Sequence, residues 1–157
     1  MKFGPQTQVV RQRILLILVY LLSCAPLPGQ IHDDPVEAFA EAESSDKAVL
    51  LVFAGSDWCA PCIRFEKNVL SNESFLEYAE GELVLLRADF PQRNKFSKEL
   101  RMHYDALAEQ YNPKGLFPHL VLIRPDRSVL VTLIYNDGPA ADFVSMLDSQ
   151  LKDEQTR

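Results

Sequence analysis

Apolar residues along this chain fall into two alternating patterns, unbroken runs of strand length and clusters at helical spacing. Asp33-Asp34-Pro35 offers an N-cap and a proline suited to a first turn, and Val36, Phe39, Ala40 and Glu43 then share one helical face. Residues 48–54 (AVLLVFA) are continuously apolar, as expected of a strand buried on both faces. The spacing predicts a helix over 59–70, a break and recapping at Ser71-Asn72-Glu73-Ser74, and a further helix over 75–80. Residues 83–88 (LVLLRA) form a second buried strand, reached by a helical crossover and so parallel to the first. Phe96, Leu100, His103, Tyr104, Leu107 and Tyr111 predict a helix over 97–111. Strands over 119–124 and 129–135 flank Pro125-Asp126-Arg127-Ser128, a hairpin turn, and a last helix over 140–151 presents Ala140, Phe143, Val144, Leu147 and Leu151. Two parallel strands and a hairpin with helices on both faces make a three-layer α/β domain around a four-stranded mixed sheet.

Residues 1–30 depart from that alternation. They carry Lys2, Arg11 and Arg13, no acidic residue, and an apolar stretch over 14–22 that is about half of the roughly 20 residues a membrane-spanning helix needs. This is the pattern of a cleaved secretory signal, leaving a domain over 31–157. Two cleavage readings stand side by side. Gly29 before Gln30 suits ordinary signal peptidase, while Leu21-Leu22-Ser23-Cys24 resembles a loose lipobox that would leave Cys24 lipidated and the protein membrane-anchored.

The 157 residues, 47% apolar, suffice for one domain with a core that needs no disulfide staples. Loss of the leader takes the net charge from −6 to −9, with 13 basic residues against 22 acidic ones. A domain so acidic is unsuited to nucleic acid or anionic lipid.

The candidate chemistry lies in Trp58-Cys59-Ala60-Pro61-Cys62, at the junction of the first long strand and the following helix. A cysteine at a helix start faces unpaired N–H groups and the positive end of the helix dipole, which favour thiolate. Cys62 lies one turn further on, within reach. Other uses of the pair weigh less. Zinc asks for about four ligands, and His32, His103 and His119 stand in no zinc spacing. A structural disulfide here would close a tiny loop and constrain little of the unfolded chain. No Gly-rich phosphate loop, Ser-His-Asp order or paired carboxylates suggest another enzyme class, and neither a cofactor nor a resident metal is called for.

WCAPC after a buried strand, Gly115-Leu116-Phe117-Pro118 before the third, and the order of elements together resemble the thioredoxin superfamily over roughly residues 35–151. More narrowly, Phe53-Ala54-Gly55-Ser56-Asp57-Trp58-Cys59, Phe65-Glu66-Lys67, Asp89-Phe90-Pro91 and Ala108-Glu109-Gln110-Tyr111 are similar to secreted bacterial thioredoxin-like proteins and to the soluble C-terminal domain of transmembrane thiol:disulfide interchange reductases.

That resemblance implies a thioredoxin fold and an exported, periplasmic thiol:disulfide oxidoreductase. Cys59 would be the nucleophile, and Cys62 would resolve the mixed disulfide to leave Cys59–Cys62 oxidised and the client reduced. Trp58 would cover the pair and help to bind clients. Pro118 would be the cis proline whose preceding residue, Phe117, pairs through its backbone with an extended client segment. Ala60-Pro61 resembles reducing members, so disulfide-bearing client proteins and an upstream thiol donor, such as a membrane reductase, are the expected partners. An oxidase or isomerase is the alternative within the class, and a binding module for a partner strand or Cu(I) the alternative outside it.

Two departures bear on proton handling. The family's buried Asp beneath the second Cys corresponds here to Phe53, or to Val52 if one residue is inserted, and neither carries a proton. Glu66, four residues after Cys62, is a candidate substitute, with an exposed salt-bridging role as its plainer reading. His119 stands where thioredoxins commonly carry Thr; near the pair it would stabilise thiolate when protonated, and otherwise it is a strand residue at the sheet surface. Residues 92–98, longer than a minimal connection, are a candidate border of the active face.

Overall fold

The computed structural model describes residues 30–93 and 96–156. The segment expected to be a signal, residues 1–29, lies outside the described residues, Cys24 included. The chain runs β1 (Ile31–His32), α1 (Pro35–Ser45), β2 (Ala48–Ala54), α2 (Ala60–Phe65) continuing as a π-helical turn (Glu66–Leu70), α3 (Glu73–Glu82), β3 (Leu83–Asp89), α4 (Lys98–Tyr111), β4 (His119–Ile123), β5 (Val129–Leu133) and α5 (Ala140–Gln155). Strand order is β1-β3-β2-β4-β5, with β2 parallel to β3, and β4 antiparallel to both β2 and β5. This is the thioredoxin fold.

The sheet has five strands, correcting the expected four. β1 adds two residues parallel to β3, Ile31 against Leu85 and His32 against Leu86. A two-residue strand is too short to show alternation, and this one is held from outside: His32 Nε2 lies 2.9 Å from Glu41 of α1, and Tyr104 of α4 donates its hydroxyl to the Asp33 carbonyl at 2.7 Å. The helix expected over 59–70 is also modified. After Phe65 it widens by one residue, with Ser71 N–H donating to the Glu66 carbonyl five positions back at 2.8 Å. Buried Phe65, Val69 and Leu70 keep the apolar side continuous through the widening, so periodicity does not reveal it.

Alternation along the strands sorts the core into two layers. Leu50, Val52 and Ala54 of β2, with Leu83, Leu85, Leu120 and Leu122, face α2, α3 and α5; Cys59, Cys62, Phe65, Phe75, Phe143 and Leu147 complete that layer. Val49, Leu51 and Phe53, with Val84, Leu86, Val121 and Ile123, face α1 and α4, where Phe39, Tyr104 and Tyr111 are buried. Local caps match the sequence reading. Asp34 accepts the Val36 N–H at 2.8 Å with Pro35 in the first turn, and Asn72 accepts from Ser74 and Phe75 at the start of α3. Among the described residues no helix is long and apolar enough to cross a membrane.

Candidate active site

β2 ends at Ala54, and five residues later Cys59 caps α2, so the strand delivers the cysteines to the edge of the sheet where α2 begins. Cys59 and Cys62 are joined in a disulfide, with Sγ atoms 2.10 Å apart and Cα atoms 5.2 Å apart. The Cys62 N–H donates to Cys59 Sγ at 3.3 Å, which puts an unpaired helix-start donor on the sulfur expected to be nucleophilic. In the reduced protein the same N–H would face the Cys59 thiolate. Both residues are buried, Cys62 more deeply than Cys59.

Trp58 stands beside the pair, 41% exposed, with its ring 5.2 Å edge-on from Phe117 and its indole N–H donating to the Phe90 carbonyl at 2.8 Å. The Phe117–Pro118 bond is cis. The cis proline is what the family resemblance implied, whereas the meeting of its loop with Trp58 is seen only in the structure. Ile63, next to Cys62, and Leu116, next to Phe117, are exposed apolar residues.

Of the two candidates for the missing buried acid, Val52 is the one that lies in the same core layer as Cys59 and Cys62. Phe53 points to the opposite layer and stacks on Phe90 at 6.4 Å. The position that holds a carboxylate in the family is thus filled by an isopropyl group. Next to Cys62 lies an open cavity of about 330 Å³ lined by Ala54, Ser56, Ile63, Glu66, Lys67 and Arg87 among others. Arg87 spans from Asp33, 3.0 Å away, to Glu66 at 3.5 Å, and these neighbouring carboxylates hold its guanidinium above its ordinary pKa against the cost of burial.

His119 is not brought to the pair. It lies opposite Phe53 in the β2–β4 register, with its ring 5.9 Å from that of Phe53 and Nε2 3.1 Å from the Tyr111 carbonyl, all on the α1 and α4 side of the sheet. Its plainer role as a strand residue fits this placement. Glu66 does lie near Cys62, in the ion pair with Arg87.

Four positioning residues escaped sequence reasoning. Asn112, buried at the end of α4, donates to the Leu116 carbonyl and accepts the Leu116 N–H, both at 2.9 Å, so one amide shapes the turn leading to Phe117. Asp89 accepts the Ser56 N–H at 2.8 Å and its hydroxyl at 2.5 Å. Asp57 accepts the Gln92 and Arg93 N–H groups at 2.9 and 2.7 Å, and these bonds hold its carboxyl below its ordinary pKa. Gly55 lies under the Trp58 indole with no room for a Cβ. Only Asn112 carried a usable signal, in the turn-forming Asn-Pro-Lys-Gly that follows the helix.

A family model described as thioredoxin-like matches residues 30–125. The disulfide bond reductase DsbH of Chlamydia pneumoniae is 34% identical over 116 residues, 74% of this chain and 69% of that protein. The thioredoxin-related protein DsbJ of the same organism is 24% identical over 98 residues, 62% of this chain but 28% of its own length. Among solved structures, a DsbH oxidoreductase superposes with a TM-score of 0.74 at 32% identity, covering 83% of this chain and 89% of that one. The oxidised C-terminal domain of Neisseria meningitidis DsbD gives a TM-score of 0.52 at 19% identity over 77% of this chain and 99% of that domain, a likeness of fold alone.

Proposed function

The chain belongs to the thioredoxin-like family and is a thiol:disulfide oxidoreductase; from that premise we propose that it reduces disulfides of exported client proteins through Cys59 and Cys62. The observation that carries this reading is the cysteine pair at bonding distance at the start of α2, beside exposed Trp58 and the cis Phe117–Pro118 bond. Similarity to a disulfide bond reductase supports the reducing direction.

In the reduced protein the Cys59 thiolate attacks one sulfur of a client disulfide, forming a Cys59–client mixed disulfide and releasing the other client sulfur as thiolate, which takes up a proton. Cys62 loses its proton, its thiolate attacks Cys59 Sγ, and the second client thiol leaves. The client gains two electrons and the Cys59–Cys62 disulfide forms. An upstream thiol donor, a membrane reductase in the simplest scheme, returns the two electrons. Trp58 and the Phe117 backbone hold the client segment. With Val52 and, among the described residues, no carboxylate in the core layer of the cysteines, the Cys62 proton leaves through the open cavity, where Glu66 is the carboxylate at hand. The basic, apolar pattern of residues 1–30 supports export to the cell envelope, with the mature chain starting near Gln30 or at a lipidated Cys24; the mass of the protein recovered from the envelope distinguishes them.

The test is Cys62→Ala. This variant accumulates mixed disulfides between Cys59 and client proteins, which disappear on treatment with dithiothreitol and in the Cys59→Ala/Cys62→Ala double variant. A variant that traps no protein, beside a wild type that binds Cu(I) tightly, would replace catalysis with a binding role. The direction is read from the Cys59–Cys62 potential: a value near −270 mV, that of thioredoxin, supports a reductant, and one near −120 mV reverses the assignment.

A further inference from the structure

Three consecutive residues ahead of Cys59 are tied to the segment that leaves β3. Ser56 bonds Asp89 through its N–H and hydroxyl, the Asp57 carboxylate takes the N–H groups of Gln92 and Arg93 on separate oxygens, and the Trp58 indole donates to the Phe90 carbonyl. A fourth tie, Phe90 N–H to the Ala54 carbonyl at 2.8 Å, joins the two segments where they leave the sheet. Asp57 is half-buried, touches neither cysteine among these contacts, and directs both carboxylate oxygens to backbone N–H groups. Its two bonds fix the chain just beyond the one acceptor of the Trp58 indole. Phe90 is further set by rings on either side, Phe117 at 5.7 Å and Tyr104 at 5.8 Å, so the acceptor, Trp58 and Phe117 form one connected wall.

Resting on the reading of Trp58 as part of the client surface, we propose that Asp57 is a positioning residue for client binding: its carboxylate holds the Phe90–Arg93 backbone so that Trp58 stands as a rigid wall beside the disulfide for an extended protein client. Charge-assisted bonds to backbone N–H groups are the stronger kind, and two of them on one carboxylate fix both its place and its orientation. Preordering the wall lowers the entropy lost when a flexible client segment docks, which acts on affinity rather than on the exchange of sulfurs. Asp57 thereby affects recognition without entering the chemistry.

The experiment measures insulin reduction by wild-type, Asp57→Asn and Asp57→Ala proteins, with dithiothreitol as donor, together with acrylamide quenching of Trp58, the one tryptophan in the chain. Asp57→Ala should raise KM about tenfold, equivalent to about 1.4 kcal/mol, with kcat within about twofold, and should make Trp58 more quenchable. Asp57→Asn keeps one acceptor oxygen and should fall between the two. Wild-type KM and quenching in both variants would overturn the proposal, as would a loss confined to kcat. If Asp57→Ala does not fold, Asp57→Asn decides: unchanged KM and quenching overturn the proposal, and intermediate values support it. If the wild type leaves insulin oxidised, the parent reading fails and quenching alone judges the strap, with unchanged quenching overturning it.

Discussion

Replacing Gly55 by alanine tests how closely the backbone and the Trp58 indole are packed. A methyl at Gly55 would lie 2.5 Å from Nε1 and 2.6 Å from Cζ2 of that ring, inside any normal carbon contact. The Gly55 carbonyl also accepts the N–H groups of Trp58 and Cys59, at 3.2 and 2.8 Å, so the backbone is held and the indole must move. Movement breaks its bond to the Phe90 carbonyl, about 1 kcal/mol, and its edge contact with Phe117, about 1 kcal/mol more. A loss of about 2 kcal/mol lowers Tm by roughly 5–10 °C in a domain of this size. Thermal unfolding followed by circular dichroism measures that fall, and Trp58 emission reports the displaced ring with no other tryptophan to mask it. Emission of Gly55→Ala shifts toward longer wavelength, and the client role proposed for Trp58 predicts weaker insulin reduction as well. A variant with wild-type emission and a Tm within about 1 °C of wild type would refute the packing argument.

Asn112→Ala removes the side-chain partner of the Leu116 N–H and carbonyl, and should cost about 1–2 kcal/mol in urea unfolding while raising KM for insulin through the loosened Phe117 loop; a loss below about 0.5 kcal/mol would deny Asn112 that role. The buried Tyr78 hydroxyl has no hydrogen-bond partner among the described residues, so Tyr78→Phe should be neutral or up to about 1 kcal/mol stabilising, and clear destabilisation would point to a partner. Burial pushes the Tyr78 phenol up to about 12. Because the folded form holds this proton more tightly than the unfolded form, its contribution to stability is full below the ordinary phenol value of ~10 and is lost as pH rises through 12, which ultraviolet difference titration of wild type against Tyr78→Phe would follow. His119→Thr should leave the Cys59 titration unchanged, since the ring contacts Phe53 and Tyr111 on the far side of the sheet; a displaced thiolate absorbance curve would restore a role for it.

Residues whose contacts are local were legible in the sequence. Asp34 and Asn72 were readable as caps because a side chain two or three positions ahead of an unpaired N–H satisfies the helix start, and Cys59 and Cys62 were readable as a pair because one helical turn separates them. Strand β1 was not, since two residues carry no period and their pairing partner is more than 50 positions away. Asp57 and Asp89 stood within the family-like stretches without an assigned role, because their bonding partners lie 33 to 36 residues off in either direction.

By itself the sequence determined the alternation of elements, the three-layer α/β class and the dithiol as the candidate seat of chemistry, because each depends on periods and spacings within one turn or one strand, while the thioredoxin-like family was carried by the resemblance of its motifs. Which residue lies under the cysteines was decided only by tertiary structure. A strand turns successive side chains to opposite faces, so a one-residue difference in the loop from Ala54 to Cys59 exchanges Val52 for Phe53, and that register is set by pairing with β3 and β4 rather than by the loop's own sequence. The same pairing sends His119 to the far face and places Val52 in the core layer of Cys59 and Cys62, with an open cavity next to Cys62.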